Sequence, residues 1–455
     1  MAESSSSSGS DSDVEPTDPN MWIIPGPYRW EVLRQRTQKG HISQRVWNTE
    51  HVRKIKTRRG KPQGGHLPVL FHRLWKSTSD RRVSYMLPGC NISRWRPETH
   101  TFHMTQGEMT ITLQDVAGIL GLPTDGTVVI GSISEDWHAA CAGVFGHVPE
   151  AGEFHHSGDL RISFLDRHYT RWTDHEGNHA AEIYFTKAHI ARMLGTWLLA
   201  DKSGGSNFGC RLVPLLGGGF EDIGRFSWGS AVLTHLFRNW CEVTDARRSD
   251  MGGCHILLQI WAWIRFPPIA PPLPPHPQPG THYGCRFNAV QKFKPHEVTH
   301  YRATLDTLCR DEVVWQPYIE YEWLDVTPEQ QYLWLAPTPI IYFHTVEACQ
   351  PDRCMRQFGL NQPIPEKSRK LRGIHDHTLR GKVEENWRRK LRAHIDRWNT
   401  RIQHIVLPPP LYGLMSPNHE YMEWFRERGK RYISRRAAKI GRYMTQMVQT
   451  LSSLH

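Results

Sequence analysis

The sequence predicts a mainly α-helical protein of the α+β class, with a few short strands, that forms one large globule behind a disordered acidic tail. From about residue 190 onward, apolar residues recur at helical spacing, whereas only one short stretch alternates like a strand. Hydrophobic residues make up 39% of the 455 residues, including 18 Trp, which is enough for a large core. The first 20 residues carry five acidic side chains and no Lys or Arg, so we expect them to be disordered.

Charge and composition divide the chain into an acidic, Ser-rich tail (1–28), a basic segment (29–64), a domain (65–435) and a basic C-terminal helix end (436–455). Residues 29–61 carry 11 basic and 2 acidic residues, and residues 367–443 carry 20 and 7, although the net charge is only +11. Two basic regions around a mildly acidic body are typical of a chain that meets nucleic acid or an acidic protein at its ends. The alternative is that they are only solvated helix surface.

The densest basic run outside the predicted helices consists of Arg53, Lys54, Lys56, Arg58, Arg59 and Lys61. It precedes Gly64 and Gly65, so we expect it in an exposed, mobile stretch. Such a run has the composition of a nuclear import signal, which predicts a nuclear protein, although many short basic runs are only solvated loops. The nine cysteines form no CxxC pair and indicate reduced thiols. The most apolar window, 256–264, is too short to span a bilayer, so we expect an intracellular protein without a membrane span.

The first elements of the domain are a short strand and a short apolar helix. The strand, entered through a Gln106–Gly107 turn, is predicted by the alternation of Met109, Ile111 and Leu113. Thr112 and Asp115 have the spacing of a capping box, and Gly121 is a helix stop. Three helices then follow.

The three central helices are predicted from their apolar spacing. Thr186 is expected to cap the first, whose apolar positions lie at 190–198, and Ser227 is expected to cap the second, with apolar positions at 232–240. The third, 254–266, is apolar nearly all round and belongs at the centre of the core. The proline-rich segment 266–280 cannot be helical and is predicted to be an extended connector that divides the domain. Its alternative role is that of a ligand for aromatic-lined proline-binding domains, although a spacer is the more frequent use.

Four further helices are predicted beyond the connector. They cover 296–309, a capping box at Thr327–Pro328, the stretch 351–358, and the segment after Ser416–Pro417 that runs into the basic C-terminus. In addition, an apolar stripe predicts one long amphipathic helix that docks through Val383, Trp387, Leu391, Ile395, Trp398, Ile402 and Ile405. The candidate residues for binding a partner or nucleic acid are Arg388, Arg389, Lys390, Arg392, Arg435 and Arg436.

Motifs that would indicate catalysis are missing. The glycine runs at 203–209 and 215–220 lack the Lys and Ser/Thr of a phosphate loop, and Arg225 stands where a nucleophile elbow requires Gly. Close histidine pairs such as His100 with His103 arise by chance among 27 histidines, so core or surface roles are favoured over metal binding. We therefore predict no catalytic residues, no cofactor and no metal. A remnant enzyme with three convergent carboxylates stays open as an alternative, because spacing cannot reveal convergence.

Segments 95–131, 226–243, 253–271, 313–318, 351–365 and 421–433 together resemble the plant mobile domain family. The resemblance implies a largely helical domain without established catalytic residues, found in transposable elements and in nuclear proteins that silence transposons and maintain meristems. Some members are fused to a serine/threonine phosphatase or are thought to cooperate with one. No phosphatase metal-ligand motif is present here. The family's aminotransferase-like label would require a pyridoxal phosphate Lys and a phosphate loop, and no segment supplies both.

The resemblance implies a non-catalytic nuclear interaction protein that acts in transposon silencing, gene-expression control and meristem maintenance, with nuclear proteins such as a phosphatase-like protein as partners. Direct nucleic-acid binding through the basic ends is the second hypothesis. The remnant transposon enzyme is the third.

Overall fold

One continuous hydrophobic core joins most of the elements of this computed structural model. The structure describes residues 92–434, except 133–134, 203–205, 246, 249, 273–280, 288–296, 324–325 and 367–384, together with Leu33, His41, Ser43, Lys56 and Thr57. The core contains Trp261, before the proline-rich segment, as well as Leu305 and Trp398, after it. The parts on either side of that segment therefore contribute to the same core.

The fold is mainly helical with short strands, as the sequence predicts. The α-helices are α1 (Leu113–Leu120), α2 (Trp137–Phe145), α3 (Ile162–His168), α4 (His179–Met193), α5 (Phe220–Gly224), α6 (Trp228–Val243), α7 (His255–Arg265), α8 (Glu297–Thr307), α9 (Pro328–Leu333), α10 (Trp387–Lys390), α11 (Arg392–Asn399) and α12 (Glu420–Arg428). The strands are β1 (Lys56–Thr57), β2 (Trp95–Arg96), β3 (Thr101–Met104), β4 (Gly107–Met109), β5 (Leu160–Arg161), β6 (Asn207–Phe208), β7 (Asp250–Met251), β8 (Thr338–Tyr342) and β9 (Thr345–Cys349).

The strands form small sheets that pack on the helices. β2, β3 and β4 make an antiparallel sheet with Phe102 opposite Met109, and β8 and β9 make a hairpin with Ile340 opposite Glu347. Every residue of both β8 and β9 is buried because this hairpin packs against α6. The short pair β1 and β7 is parallel, with Lys56 opposite Asp250.

The helix α7 lies at the centre, and all of its residues are buried, as its apolar composition predicts. Its last residue, Arg265, would be an isolated buried charge. Instead, Arg265 Nη2 donates to Asp115 Oδ1 over 2.7 Å, and both side chains are fully buried. Asp115 also completes the predicted capping box with Thr112, and Gly121 ends α1 in the left-handed conformation at φ 66°. The Asp115 carboxylate thus takes part in both a local helix cap and a long-range ion pair.

Several predicted boundaries of the central elements are wrong. The strand ends at Met109, and Leu113 already belongs to α1. The cap of α4 is Asn178, whose side chain accepts from Ala181, whereas the Thr186 hydroxyl donates to the carbonyl of Glu182 inside the helix. The strand was predicted too long because an alternating apolar pattern cannot separate the last strand residue from the first helical turn.

The C-terminal elements are shorter than predicted. The stretch 351–358 forms two 3₁₀ turns, Pro351–Arg353 and Met355–Phe358, although it ends at left-handed Gly359 as expected. The helix α12 ends at Arg428, and Gly429 follows with extended backbone. By contrast, the predicted capping box at Thr327 begins α9 with Pro328 as its first residue.

Some predictions concern residues that the structure does not describe. The tail 1–28 lies outside the described residues, as do 436–455 and residues 273–280 of the proline-rich segment. In the part of the chain that the structure describes, no helix combines the length and apolarity needed to cross a membrane. Eight cysteines are described, and all are free thiols.

Candidate interaction surface

A cavity of about 630 Å³ lies beside α10 and α11, the segment for which the sequence predicts one long basic helix. One wall is the loop 122–128, which follows α1, and the opposite wall is formed by α10, α11 and the turn after them. Its polar lining residues are Thr124, Asp125, Thr127, Arg225, Gln330, Arg388, Asn399 and Arg401. The lining is therefore mixed but richer in cations than in carboxylates.

Two tryptophans dock this segment on the domain. Trp387 is 2% exposed and lies 5.5 Å, between ring centroids, from His344. Trp398 is fully buried, and its indole N–H donates to the carbonyl of Gly126 over 2.9 Å. Leu391 between them is also buried. The docking that the apolar stripe predicts is therefore confirmed for these residues.

Docking fails for Ile402, which was predicted to pack on the domain and is 65% exposed. The predicted continuous helix is interrupted at Leu391 and again at Thr400, where both residues leave helical geometry, and a 3₁₀ turn follows at Arg401–His404. A helix with 3.6 residues per turn would keep position 402 on the buried stripe, but each interruption rotates the residues beyond it. The prediction for Ile402 is wrong for this reason.

Arg401 takes the buried place beyond the second interruption. Its guanidinium lies 3.8 Å from the centroid of the Trp398 ring and forms an ion pair with Asp125 in the opposite wall. Burial lowers the pKa of Arg401, and the Asp125 carboxylate partly opposes that shift. The cation and the indole together fasten the segment to the loop 122–128.

The helices α10 and α11 carry the four candidate cations Arg388, Arg389, Lys390 and Arg392. All four are exposed, and Arg388 also lines the cavity. Lys390 contacts Glu385 at 3.0 Å, and Arg392 lies 3.9 Å from Asp396 with both side chains mostly in water. Within the described chain, no ion pair involves Arg388 or Arg389. We call Arg388, Arg389, Lys390 and Arg392 the basic face.

Exposed apolar side chains follow the basic face along the chain. Ile402 is followed by Leu407, Tyr412 and Leu414, which are 60%, 89% and 52% exposed. Single exposed apolar side chains are common on protein surfaces, whereas several that form one patch mark a surface that binds proteins. A period of about 3.6, assumed up to Ile405, placed Ile402 on the buried stripe, and no role was predicted from the sequence for Leu407, Tyr412 and Leu414.

The remaining candidate residues give less information. Arg435 and Arg436 lie outside the described residues, as do Arg53, Lys54, Arg58, Arg59 and Lys61. The backbone of Lys56 pairs with β7, so at this residue the predicted mobile stretch is a strand. The roles of all these cations in import or binding stay predictions.

Buried carboxylates bear on the enzyme hypothesis. Glu108, Asp306 and Asp115 are each paired with a buried arginine, in the pairs Glu108–Arg353, Asp306–Arg94 and Asp115–Arg265. Among the described residues, no three carboxylates converge as a two-metal nuclease site would require. These carboxylates therefore act as counter-ions of buried arginines.

A different group of potential metal ligands does converge. His100, Cys241 and Glu347 each offer one ligand atom, and these three atoms lie within 4.8 Å of one another. They come from the turn before β3, from α6 and from β9. The sequence contained no usable signal for this group, because its members are more than 100 residues apart and share no motif.

Comparison with known proteins assigns the family. The plant mobile domain model matches residues 87–426. Relatives in Arabidopsis thaliana include the serine/threonine-protein phosphatase 7 long form homolog, 33% identical over 374 residues, which cover 78% of this chain and 27% of that protein. Protein MAIN-LIKE 2 is 30% identical over 433 residues, or 88% of this chain and 61% of the relative. Protein MAINTENANCE OF MERISTEMS is 32% identical over 345 residues, or 73% and 67%.

The chain spans less than two thirds of the length of the first two of these relatives. No solved structure matches the chain. The family match begins before β2 and ends inside α12, so it includes the residues that line the cavity and the basic face. This chain belongs to the plant mobile domain family.

Proposed function

We propose that this chain is a non-catalytic nuclear interaction protein that acts in transposon silencing, gene-expression control and meristem maintenance with a phosphatase-like partner. The names of its relatives support this proposal, since one is a phosphatase long form homolog and another is a protein of meristem maintenance. The pairing of buried carboxylates with arginines also favours binding over catalysis.

The basic face is the observation that carries the proposal. Two buried tryptophans fix α10 and α11 on the domain, so Arg388 and Arg389 project from a rigid support instead of a loose tail. A cation on a rigid support can meet an acidic surface without losing much side-chain and backbone freedom. Leu407, Tyr412 and Leu414 are exposed and follow the basic face in the sequence, so they offer apolar side chains to a partner. This combination of cations and apolar side chains suits an acidic protein surface.

Direct nucleic-acid binding is the second candidate function. The same exposed arginines could contact phosphates, and binding would then weaken steeply with salt. The apolar side chains after α11 favour a protein partner, because phosphate contacts need no such residues.

Charge reversal tests both functions. We expect Arg388→Glu with Arg389→Glu to leave the fold intact, since both side chains are exposed, and to reduce recovery of nuclear protein partners on the order of tenfold. The matched control is Arg161→Glu with Arg171→Glu, two exposed arginines far along the chain from the basic face. Recovery would be quantified by mass spectrometry from nuclear extracts.

DNA binding of the same proteins, measured between about 50 and 200 mM salt, separates the two functions. A steep salt dependence that only the basic-face variant flattens would support nucleic-acid binding. Unchanged DNA binding and unchanged partner recovery in that variant would contradict both uses of the basic face.

A further inference from the structure

Three side chains with different donor atoms meet between the β2–β4 sheet, α6 and β9. The Nε2 atom of His100 lies 3.1 Å from Oε2 of Glu347, and the thiol of Cys241 completes a group whose ligand atoms are all within 4.8 Å. The side chains of His100 and Glu347 are 5% and 0% exposed. We propose that His100, Cys241 and Glu347 form a Zn²⁺ site.

The donor set fits zinc better than other common metals. Imidazole nitrogen, thiolate sulfur and carboxylate oxygen are the three ligand types that Zn²⁺ takes in proteins, whereas Mg²⁺ and Ca²⁺ prefer oxygen alone. With the usual bond lengths, neighbouring ligand atoms around a tetrahedral zinc are separated by roughly 3.3 to 3.6 Å. The distance of 3.1 Å between His100 Nε2 and Glu347 Oε2 is already close to that value. The distances from these atoms to the Cys241 sulfur are within 4.8 Å, so the sulfur would move toward the ion on binding. Three protein ligands leave a fourth position for water.

The hydrogen bonds around His100 orient it as a ligand. Its Nδ1 atom lies 2.9 Å from the carbonyl oxygen of Ala348, a position in which Nδ1–H donates. In the neutral ring, Nε2 then has a lone pair that points toward the carboxylate of Glu347. Because Nε2 and the carboxylate oxygen are both acceptors and lie 3.1 Å apart, a cation or a proton must lie between them. A ligating histidine typically donates its other ring N–H to a backbone carbonyl in this way.

Arg238 holds Glu347 in the position of a ligand that would bind through one oxygen. The other oxygen of Glu347, Oε1, accepts from Arg238 Nε, and Arg238 Nη2 also donates to the carbonyl of Val346 over 3.3 Å. Arg238 lies one helical turn before Cys241 on α6, so the same helix supplies a ligand and the group that orients another ligand. The carboxylate is therefore fixed with Oε2 turned to His100.

Aromatic rings surround the site. The ring of Trp95 stacks on that of His100, with an interplanar angle of 10°, and its indole N–H lies 3.4 Å from the sulfur of Cys241. Phe237 lies 5.4 Å from His100 between ring centroids. The indole N–H would stabilise a thiolate, and the rings limit access of water. His100 itself is held at φ 51°, a conformation that is rare outside glycine and is concentrated at functional sites.

Metal binding would join three elements that are distant in sequence. A zinc ion would connect the β2–β3 turn, α6 and the β8–β9 hairpin, and its binding free energy would add to the stability of the fold. None of the three ligands belongs to α10 or α11, so this proposal does not rest on the proposed function.

The test uses the full chain, stripped of metal with a chelator and dialysed. Zinc bound per chain would be measured by elemental analysis, affinity by competition with a chromophoric chelator, and coordination by Co²⁺ substitution. We expect one tightly bound zinc, a thiolate-to-Co²⁺ charge-transfer band, and a higher melting temperature with zinc.

Ligand variants locate the metal. Cys241→Ser and His100→Asn should each weaken zinc binding by more than the roughly 10- to 100-fold that is lost when a residue hydrogen-bonded to a ligand is removed. Asn is chosen because it tolerates the backbone conformation of His100. The control Cys254→Ser changes a buried cysteine outside this group and should retain wild-type binding.

Two results would overturn the proposal: wild-type protein that binds no stoichiometric zinc, and ligand variants that bind it as the wild type does. If a ligand variant misfolds, alkylation of the wild type decides instead. Zinc should protect Cys241 from alkylation while the exposed Cys309 reacts equally with and without the metal. Equal alkylation of Cys241 in both conditions would count against the site.

Discussion

Asp115 shows how one residue can combine a local and a distant role. Its carboxylate accepts from the backbone N–H of Thr112 over 2.8 Å, from Arg265 over 2.7 Å and from the hydroxyl of Tyr318 over 2.9 Å. Gln330 has the same capping position in α9, but no distant partner is found for it in the described part of the chain. The two residues therefore share a sequence pattern and differ in what surrounds them.

We expect Asp115→Ala to lower the free energy of unfolding by about 3 to 5 kcal/mol, because it leaves the charge of Arg265 buried and unpaired. The matched variant Gln330→Ala removes only an exposed cap and should cost about 0.3 to 1.5 kcal/mol. Denaturant titration followed by tryptophan fluorescence measures both. A similar loss of unfolding free energy in the two variants would show that the ion pair with Arg265 adds nothing to stability.

Glu108 and His103 should make the fold sensitive to acid. Burial alone would raise the pKa of Glu108, but the Arg353 guanidinium and His103 lower it from 4.5 to about 2. Its contribution to stability is therefore present above pH 4.5 and is lost as the pH falls toward 2. Burial lowers the pKa of His103 from 6.5 to about 4, although Glu108 opposes that shift, so stability is also lost as the pH falls from 6.5 to 4.

We therefore predict that the melting temperature falls progressively below about pH 6.5. Glu108→Gln should lower stability at pH 7, since Arg353 loses its charged partner, and should flatten the pH dependence below pH 4.5. Asp222→Asn, which changes an exposed carboxylate, serves as the control. A variant Glu108→Gln with the wild-type dependence on pH would refute this role for Glu108.

At the scale of elements, the interruptions between α10, α11 and the following turn decide which side chains are buried. Trp387→Ala should cost about 3 to 5 kcal/mol, because the ring is 2% exposed and its loss leaves a cavity. Ile402→Ala, on the same predicted stripe, should change stability by no more than about 0.5 kcal/mol, since Ile402 is 65% exposed. Thermal unfolding distinguishes these outcomes. A large loss for Ile402→Ala would indicate the continuous helix instead.

At the scale of the whole molecule, the charge at the N-terminal side should determine where the protein accumulates. Replacing the six cations of the run 53–61 by Ala should leave a fluorescent fusion in the cytoplasm, because a 52.8 kDa chain with a tag diffuses through nuclear pores only slowly. The pairing of Lys56 with β7 is made by the backbone and should survive the substitution. Fluorescence microscopy compares the variant with the wild type, and nuclear accumulation of both would exclude this run as the import signal.

The sequence by itself determined the features that depend on neighbouring residues. The capping boxes at Thr112 and Thr327, the stop at Gly121 and the buried helix α7 were all predictable, because their hydrogen bonds and their spacing involve residues within one or two turns. The family, too, could be identified from segments of sequence in order.

Only the tertiary structure decided which distant surfaces meet. It paired Arg401 with Asp125, exposed Ile402, and brought His100, Cys241 and Glu347 together from three elements. None of these follows from spacing, because the interruption of a helix and the convergence of side chains depend on the packing of elements that are far apart in the chain. Local chemistry determined the caps and stops at Thr112, Gly121 and Thr327, whereas packing in the shared core determined the interruptions of helices and the side chains that meet.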